Sequence, residues 1–191
     1  MWNTPHMWKL HRDTGDVLQM INIGGNRGSY GFAIDQQGVI WISARKTGEL
    51  LRVDPNKPSD VQSFQINAAT SLYGMTIDEN GKIWLCNWSG DQTLYRFDPL
   101  TKQWAGVKLD RPRGVAANGN GYVFSTNDNT GRVHKININT LGVEGVIDLG
   151  SNRGPIGAAV DFDGKVWAIN RTTHTASRIE PWSAVKITAV S

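Results

Sequence analysis

Apolar residues recur along the chain in short alternating runs separated by Gly, Asp, Asn and Pro. Alternation at period two marks half-buried strands, and no window holds a helical period long enough to compete. The runs repeat as a set. GFAIDQQGVIWISA from Gly31, GMTIDENGKIWLCN from Gly74, GVAANGNGYVFSTN from Gly114 and GAAVDFDGKVWAIN from Gly157 align without gaps, at Gly-to-Gly spacings of 43, 40 and 43 residues. Each is followed by a second pair of runs: ELLRVDPNKPSDVQSFQIN, TLYRFDPLTKQWAGVKL, GRVHKININTLGVEGVIDLG and ASRIEPWSAVKITAVS. The opening segment MWKLHRDTGDVLQMINIG is one more copy of that second half.

Each unit therefore predicts four strands. The first two are joined by a tight turn with Gly38, Gly81, Gly121 or Gly164 at a fixed place, where a positive φ suits glycine. The third and fourth are joined through Asp54-Pro55, Asp98-Pro99, Asn137 with Thr140, and Glu180-Pro181. Four-stranded units at this period predict an all-β propeller. It would comprise a leading half-blade (7–24) and four whole blades (about 28–67, 71–109, 112–149 and 154–190). The innermost strand carries small residues at alternate positions, Gly31 and Ala33, Gly74 and Thr76, Gly114 and Ala116, Gly157 and Ala159. Blades crowd near an axis, so that face must be small. The next strand carries one large ring, Trp41, Trp84, Phe124 or Trp167, expected to fill the widening gap between blades. An open arc leaves two apolar faces bare, so missing blades or self-association are expected to close the ring.

Composition narrows the function classes. The chain has 191 residues, 39% hydrophobic and 19% charged, with eight Trp, as a globular domain requires. No apolar stretch is long enough for a membrane helix, and the start, MWNTPHMWKLHRD, lacks a signal-type apolar core. A net charge of +3 gives no bulk argument for nucleic acid. Cys86, the single cysteine, rules out an intrachain disulfide and a Cys-based metal site. Asp161-Phe162-Asp163-Gly164 looks like the start of a calcium loop, but it falls on a hairpin turn and lacks the distal Glu. The Gly-rich linkers precede strands, so they are not phosphate loops.

Candidate chemistry gathers where second-to-third strand loops and inter-blade links meet, at one mouth of the ring. These segments hold Arg27, Tyr30, Arg45, Lys46, Trp88, Asp91, Arg111, Arg113, Asp128, Arg153, Arg171 and His174. The linker G-x-N-R-G-x-x-G occurs twice and places Arg27 and Arg153 equivalently. Asn87, Asn127 and Asn170 end the second strands at the same mouth, suited to loop backbone groups or to a ligand. Acids concentrate at the opposite face: Asp35, Asp54, Asp78, Glu79, Asp98, Asp161 and Asp163. This polarity suits an anionic small molecule, an acidic glycan or a protein partner. The ligand-binding candidates are Arg27, Tyr30, Arg45, Asn87, Trp88, Arg113, Asn127, Arg153, Asn170, Arg171 and His174.

Tyr73-Gly74-Met75-Thr76-Ile77-Asp78, then Gly81-Lys82-Ile83-Trp84, then Leu94-Tyr95-Arg96-Phe97-Asp98-Pro99 resembles the repeat of the virginiamycin B lyase-like propellers. It is also similar to NHL-repeat and gluconolactonase-type propellers. The resemblance covers nearly the whole chain and rests on packing and turn residues, so it implies architecture more than activity. Lyases of that group use His and Glu at one mouth of the ring with a magnesium ion. The place where many family repeats carry an acid holds Ala44, Asn87, Asn127 and Asn170 here, and His174 has no Glu in its loop. His6 and His11 belong to the leading half-blade and His134 to an outer strand. No catalytic residue, metal ligand or cofactor is assigned. The expected role is a non-catalytic binding or scaffold module. The alternatives are a lyase or lactonase-type hydrolase, with magnesium and with acid and base in blades beyond this chain, or a structural subunit of a larger assembly. The resemblance also implies an extracytoplasmic or secreted location.

Overall fold

The computed structural model describes residues 4–66 and 71–180, and the backbone of 187–190. Pro181 and Val185, expected in the last outer hairpin, lie outside the described residues. A two-stranded sheet opens the chain, β1 (His6–Leu10) against β2 (Val17–Asn22). Blade 1 comprises β3 (Ser29–Ile34), β4 (Ile40–Ala44), β5 (Glu49–Val53) and β6 (Val61–Gln65). Blade 2 comprises β7 (Leu72–Ile77), β8 (Ile83–Asn87), β9 (Thr93–Asp98) and β10 (Gln103–Lys108). Blade 3 comprises β11 (Pro112–Ala117), β12 (Tyr122–Asn127), β13 (Arg132–Asn137) and β14 (Val143–Asp148). Blade 4 comprises β15 (Pro155–Val160), β16 (Val166–Asn170), β17 (Thr175–Ile179) and β18 (Ile187–Val190). Every pairing joins chain neighbours antiparallel, so each blade is a four-stranded meander. The architecture is the expected one, an all-β propeller of four blades preceded by half of another. No described helix is long and apolar enough to cross a membrane.

One carboxylate locks each inner hairpin. Oδ1 of Asp35, Asp78 and Asp161 accepts backbone N–H groups two and four residues on, at 2.8–3.0 Å. Oδ2 of each accepts the indole N–H of Trp41, Trp84 or Trp167, at 2.9, 2.7 and 2.7 Å. Blade 3 changes both partners together. Asn118 makes the two backbone bonds, and Phe124 presents no N–H to a second oxygen.

The rings pack forward from each blade into the next. Trp41 and Leu50 of blade 1 cluster with Ile83, Leu85 and Phe97 of blade 2. Trp84 and Leu94 meet Val115, Val123 and Ile136 of blade 3, and Phe124 and Val133 meet Val166, Ala168 and Ile179 of blade 4. Trp41, Trp84 and Phe124 are buried, whereas Trp167 is half-buried, because no described blade follows it. Near the axis the small residues permit backbone contact. A Cβ on Gly74 would lie 2.6 Å from the Arg113 carbonyl, and one on Gly114 2.8 Å from the Gly157 Cα. Upstream, Ile21 and Ile23 of the leading hairpin pack against Ile42, Leu51 and Val53 of blade 1.

Candidate functional site

The innermost strands β3, β7, β11 and β15 lie side by side on the inner face of the arc and border the axial channel. A cavity of about 370 Å³ there is lined by Tyr30, Gly31, Gly74, Arg113, Gly114 and Gly157, among others. Each inner strand slips register near its mouth end: between Ser29 and Phe32, Leu72 and Met75, Pro112 and Gly114, and Pro155 and Gly157. A bulge re-aims the side chain it carries. The residue before the inner Gly sits in that irregularity in every blade: Tyr30, Tyr73, Arg113 and Ile156.

Tyr73 is the hub of the resulting cluster. Tyr30 packs edge-on against it at 4.6 Å between ring centroids, and Trp88 at 5.5 Å. Arg45 Nε donates to the Tyr73 hydroxyl at 3.0 Å. The Arg113 guanidinium lies 5.0 Å from the Tyr73 ring and 5.4 Å from the Trp88 ring. Arg111 stacks over Trp88 at 4.4 Å. Asp128 fixes the far side, accepting from Trp88 Nε1 at 2.9 Å and from Arg113 at 2.5 Å. Cation–ring contacts of this kind contribute about 0.5–2 kcal/mol each, more as water is excluded. Three arginines are thus held over aromatic faces beside the cavity that Tyr30 and Arg113 line, and Asp128 pairs with Arg113.

Backbone geometry adds a second sign of specialisation. The residue immediately before β3 and β15 is a left-handed glycine, Gly28 or Gly154; before β11 it is Arg111, at φ 50°. The residue before β5 and β13 is Gly48 or Gly131; before β9 and β17 it is Gln92 at 57° and His174 at 56°. A side chain costs about 1–2 kcal/mol in that region. Arg111 carries this strain and is one of the cations on Trp88.

The other candidates fall elsewhere around the mouth. Arg27 folds over its own linker, bonding the Gly24 carbonyl at 3.0 Å and Glu49 at 3.1 Å. Burial pushes the Glu49 carboxyl up, but hydrogen bonds from Ser63 and Thr47 and the Arg27 charge outweigh it and hold it below its ordinary range. Arg153, the repeat equivalent, reaches Ser177 at 3.4 Å. Arg171 and His174 are exposed on the blade 4 loop. The three asparagine side chains are buried and turned into their loops. Asn87 accepts from the Ser71 N–H and donates to Asp91 at 2.6 Å. Asn127 accepts from the N–H groups of Asn129 and Thr130, and Asn170 donates to Thr175 and Ser177. Burial raises the Asp91 carboxyl, but hydrogen bonds from Tyr95, Thr93 and Asn87 more than offset that and lower it. Of the sequence candidates, the structure gathers Tyr30, Arg45, Trp88 and Arg113 into one cluster. Tyr73, its centre, is not among those candidates, although Tyr-Gly opens both repeats at Tyr30 and Tyr73. Cys86 lies in β8, where burial pushes its thiol up to about 12.

A magnesium ion, which the lyase resemblance implies, finds no group of three His, Cys, Asp or Glu side chains to hold it among the described residues. No family model and no curated protein matches the sequence. Solved structures do match in fold. Virginiamycin B lyase from Staphylococcus aureus is 14% identical and superposes at a TM-score of 0.83, over 98% of this chain and 63% of that one. A streptogramin B lyase is 13% identical at 0.85, over 98% and 63%. A nidogen/laminin complex gives 15% and 0.77, over 99% of this chain and 76% of that one. The chain thus spans about 63% of the length of the two lyases. The likeness is one of fold, and it agrees with the resemblance carried by the repeated motifs.

Proposed function

We propose that the chain is a β-propeller binding module that takes a carboxylate-bearing ligand, an acidic glycan or small organic anion, at the channel mouth. The observation that supports it is the placement of Arg45, Arg111 and Arg113 around the Tyr73 and Trp88 rings, beside the channel. Planar guanidinium groups match carboxylates, and aromatic faces match the apolar faces of sugar rings. Arg113 and Asp128 set the geometry, while Arg45 and Tyr30 meet the ligand. Titration with a short oligogalacturonate and with its neutral galactose counterpart tests this. Saturable binding of the acidic sugar, weakened by salt and at least about tenfold by Arg45→Gln, is expected. Equal binding of the neutral sugar, or full affinity in the variant, overturns it.

The fold shared with two lyases favours a second reading, a lyase or lactonase-type hydrolase with acid and base in further blades. Cleavage of the acidic sugar only when further blades are joined to the 191-residue chain would favour that reading over a binding module.

A further inference from the structure

We infer that the mouth selects a ligand with two carboxylates, one met by Arg45 and the other by Arg111. The acidic glycan of the proposed function is then an oligouronate held by at least two of its units. The inference rests on that function and deepens it.

Each ring of the cluster carries its own outer guanidinium. Arg45 lies 5.2 Å from the Tyr73 ring and Arg111 4.4 Å from the Trp88 ring, and the two ring centroids are 5.5 Å apart. Arg113 touches both rings, but its charge is answered within the protein. The Asp128 side chain that pairs with it is 5% exposed and also accepts the Trp88 indole N–H. Asp128 therefore makes Arg113 a spacer, and leaves Arg45 and Arg111 as the outer cations of the cluster. Arg111 donates to the neutral Asn129 Oδ1 at 3.5 Å, and Arg45 to the Tyr73 hydroxyl at 3.0 Å.

Different blades fix the two ends. Arg45 follows β4 of blade 1, Arg111 lies in the link that enters blade 3, and both rings belong to blade 2. These blades are seated backbone to backbone near the axis. A Cβ on Gly31 would lie 2.7 Å from the Tyr73 carbonyl, as one on Gly74 would meet that of Arg113. The spacing of the two cations is therefore set by the arc more than by either loop.

The backbone of Arg111 is an independent observation. It holds φ 50° immediately before β11, whereas glycine holds the same place before β3 and β15, Gly28 at 62° and Gly154 at 56°. Proline follows both Gly154 and Arg111, so the two links are built alike. Glycine makes that turn without strain, so the fold does not call for an arginine there. A strained side chain in a place where its sister repeats use glycine points to binding.

Titration of the 191-residue chain with galacturonic acid and with its trimer tests the inference. The trimer is expected to bind at least about tenfold tighter than the monomer, because its second carboxylate docks intramolecularly. Gly and Asn both suit the left-handed backbone, so Arg111→Gly and Arg111→Asn keep the fold, checked by the unfolding midpoint. In each the trimer loses its advantage over the monomer, and the salt dependence of trimer binding falls by about half. An advantage that survives in both variants, or equal affinity of monomer and trimer for the unaltered chain, overturns the inference and leaves the proposed function standing. Failure of both sugars to bind saturably overturns the function and the inference together.

Discussion

At the residue scale, the clearest link between sequence and energy is the bond between a turn carboxylate and a buried indole. Asp78 closes its hairpin with one oxygen and holds Trp84 with the other, at 2.7 Å, and Trp84 is fully buried. Asp78→Asn would preserve the turn bonds, as Asn118 does, but turn an amide N–H toward the indole N–H. A buried donor without an acceptor costs about 1–3 kcal/mol. We expect urea unfolding of the full chain to show that loss, and part of it to vanish in the background of Trp84→Phe. Additive losses from the two substitutions would show that the pair is not coupled. The sequence analysis read the rings as packing and the acids as one face's charge and missed the couple, although its trace is there, since blade 3 changes both members at once, to Asn118 and Phe124. The fate of Asn87, Asn127 and Asn170 was less legible. Their repeat position gave the mouth, but only packing decides whether an amide faces the loop or the solvent.

At the element scale, the inner strands carry two patterns with different physical origins. Alternating small residues are a matter of side-chain volume, and they were readable from Gly31 through Ala159. The register slip at the mouth end is a matter of hydrogen bonding to the neighbouring strand, which leaves no mark in hydropathy. That is why Tyr73 was missed as the centre of the arginine cluster while Trp88, in an evident loop, was not. The small residues make a graded prediction. Gly74→Ala and Gly114→Ala drive a Cβ to 2.6 and 2.8 Å from the backbone of the next blade. Neither contact can be relieved by a side-chain rotation, so each costs about 1–3 kcal/mol. At Gly157 the nearest atoms are Ile169 side-chain carbons at 3.5 and 3.6 Å, an ordinary contact. Gly157→Ala should therefore be neutral or stabilise by up to about 1 kcal/mol through the unfolded state. Equal losses at the three positions, measured by denaturant midpoint, would mean that a further surface seats against blade 4.

At the scale of the whole molecule, stability follows the order of the blades. Each blade touches its chain neighbours, so the arc behaves as a nearly one-dimensional array in which interior units gain two interfaces and terminal units one. Blade 2 lies between two apolar clusters, one centred on Trp41 and Phe97 and the other on Trp84 and Val123. Its strand β8 is buried at all five positions. Among the described residues, the leading hairpin packs on blade 1 alone, and blade 4 ends with Trp167 half-buried. Opening should begin at these ends and reach blade 2 last. Native-state hydrogen exchange should then find the slowest amides in β8 and β12 and the fastest in β1 and β17, by at least about a hundredfold. A single exchange rate shared by all blades would mean that the arc unfolds as one cooperative unit, and the inter-blade contacts would then have to be far stronger than the intrinsic stability of any blade.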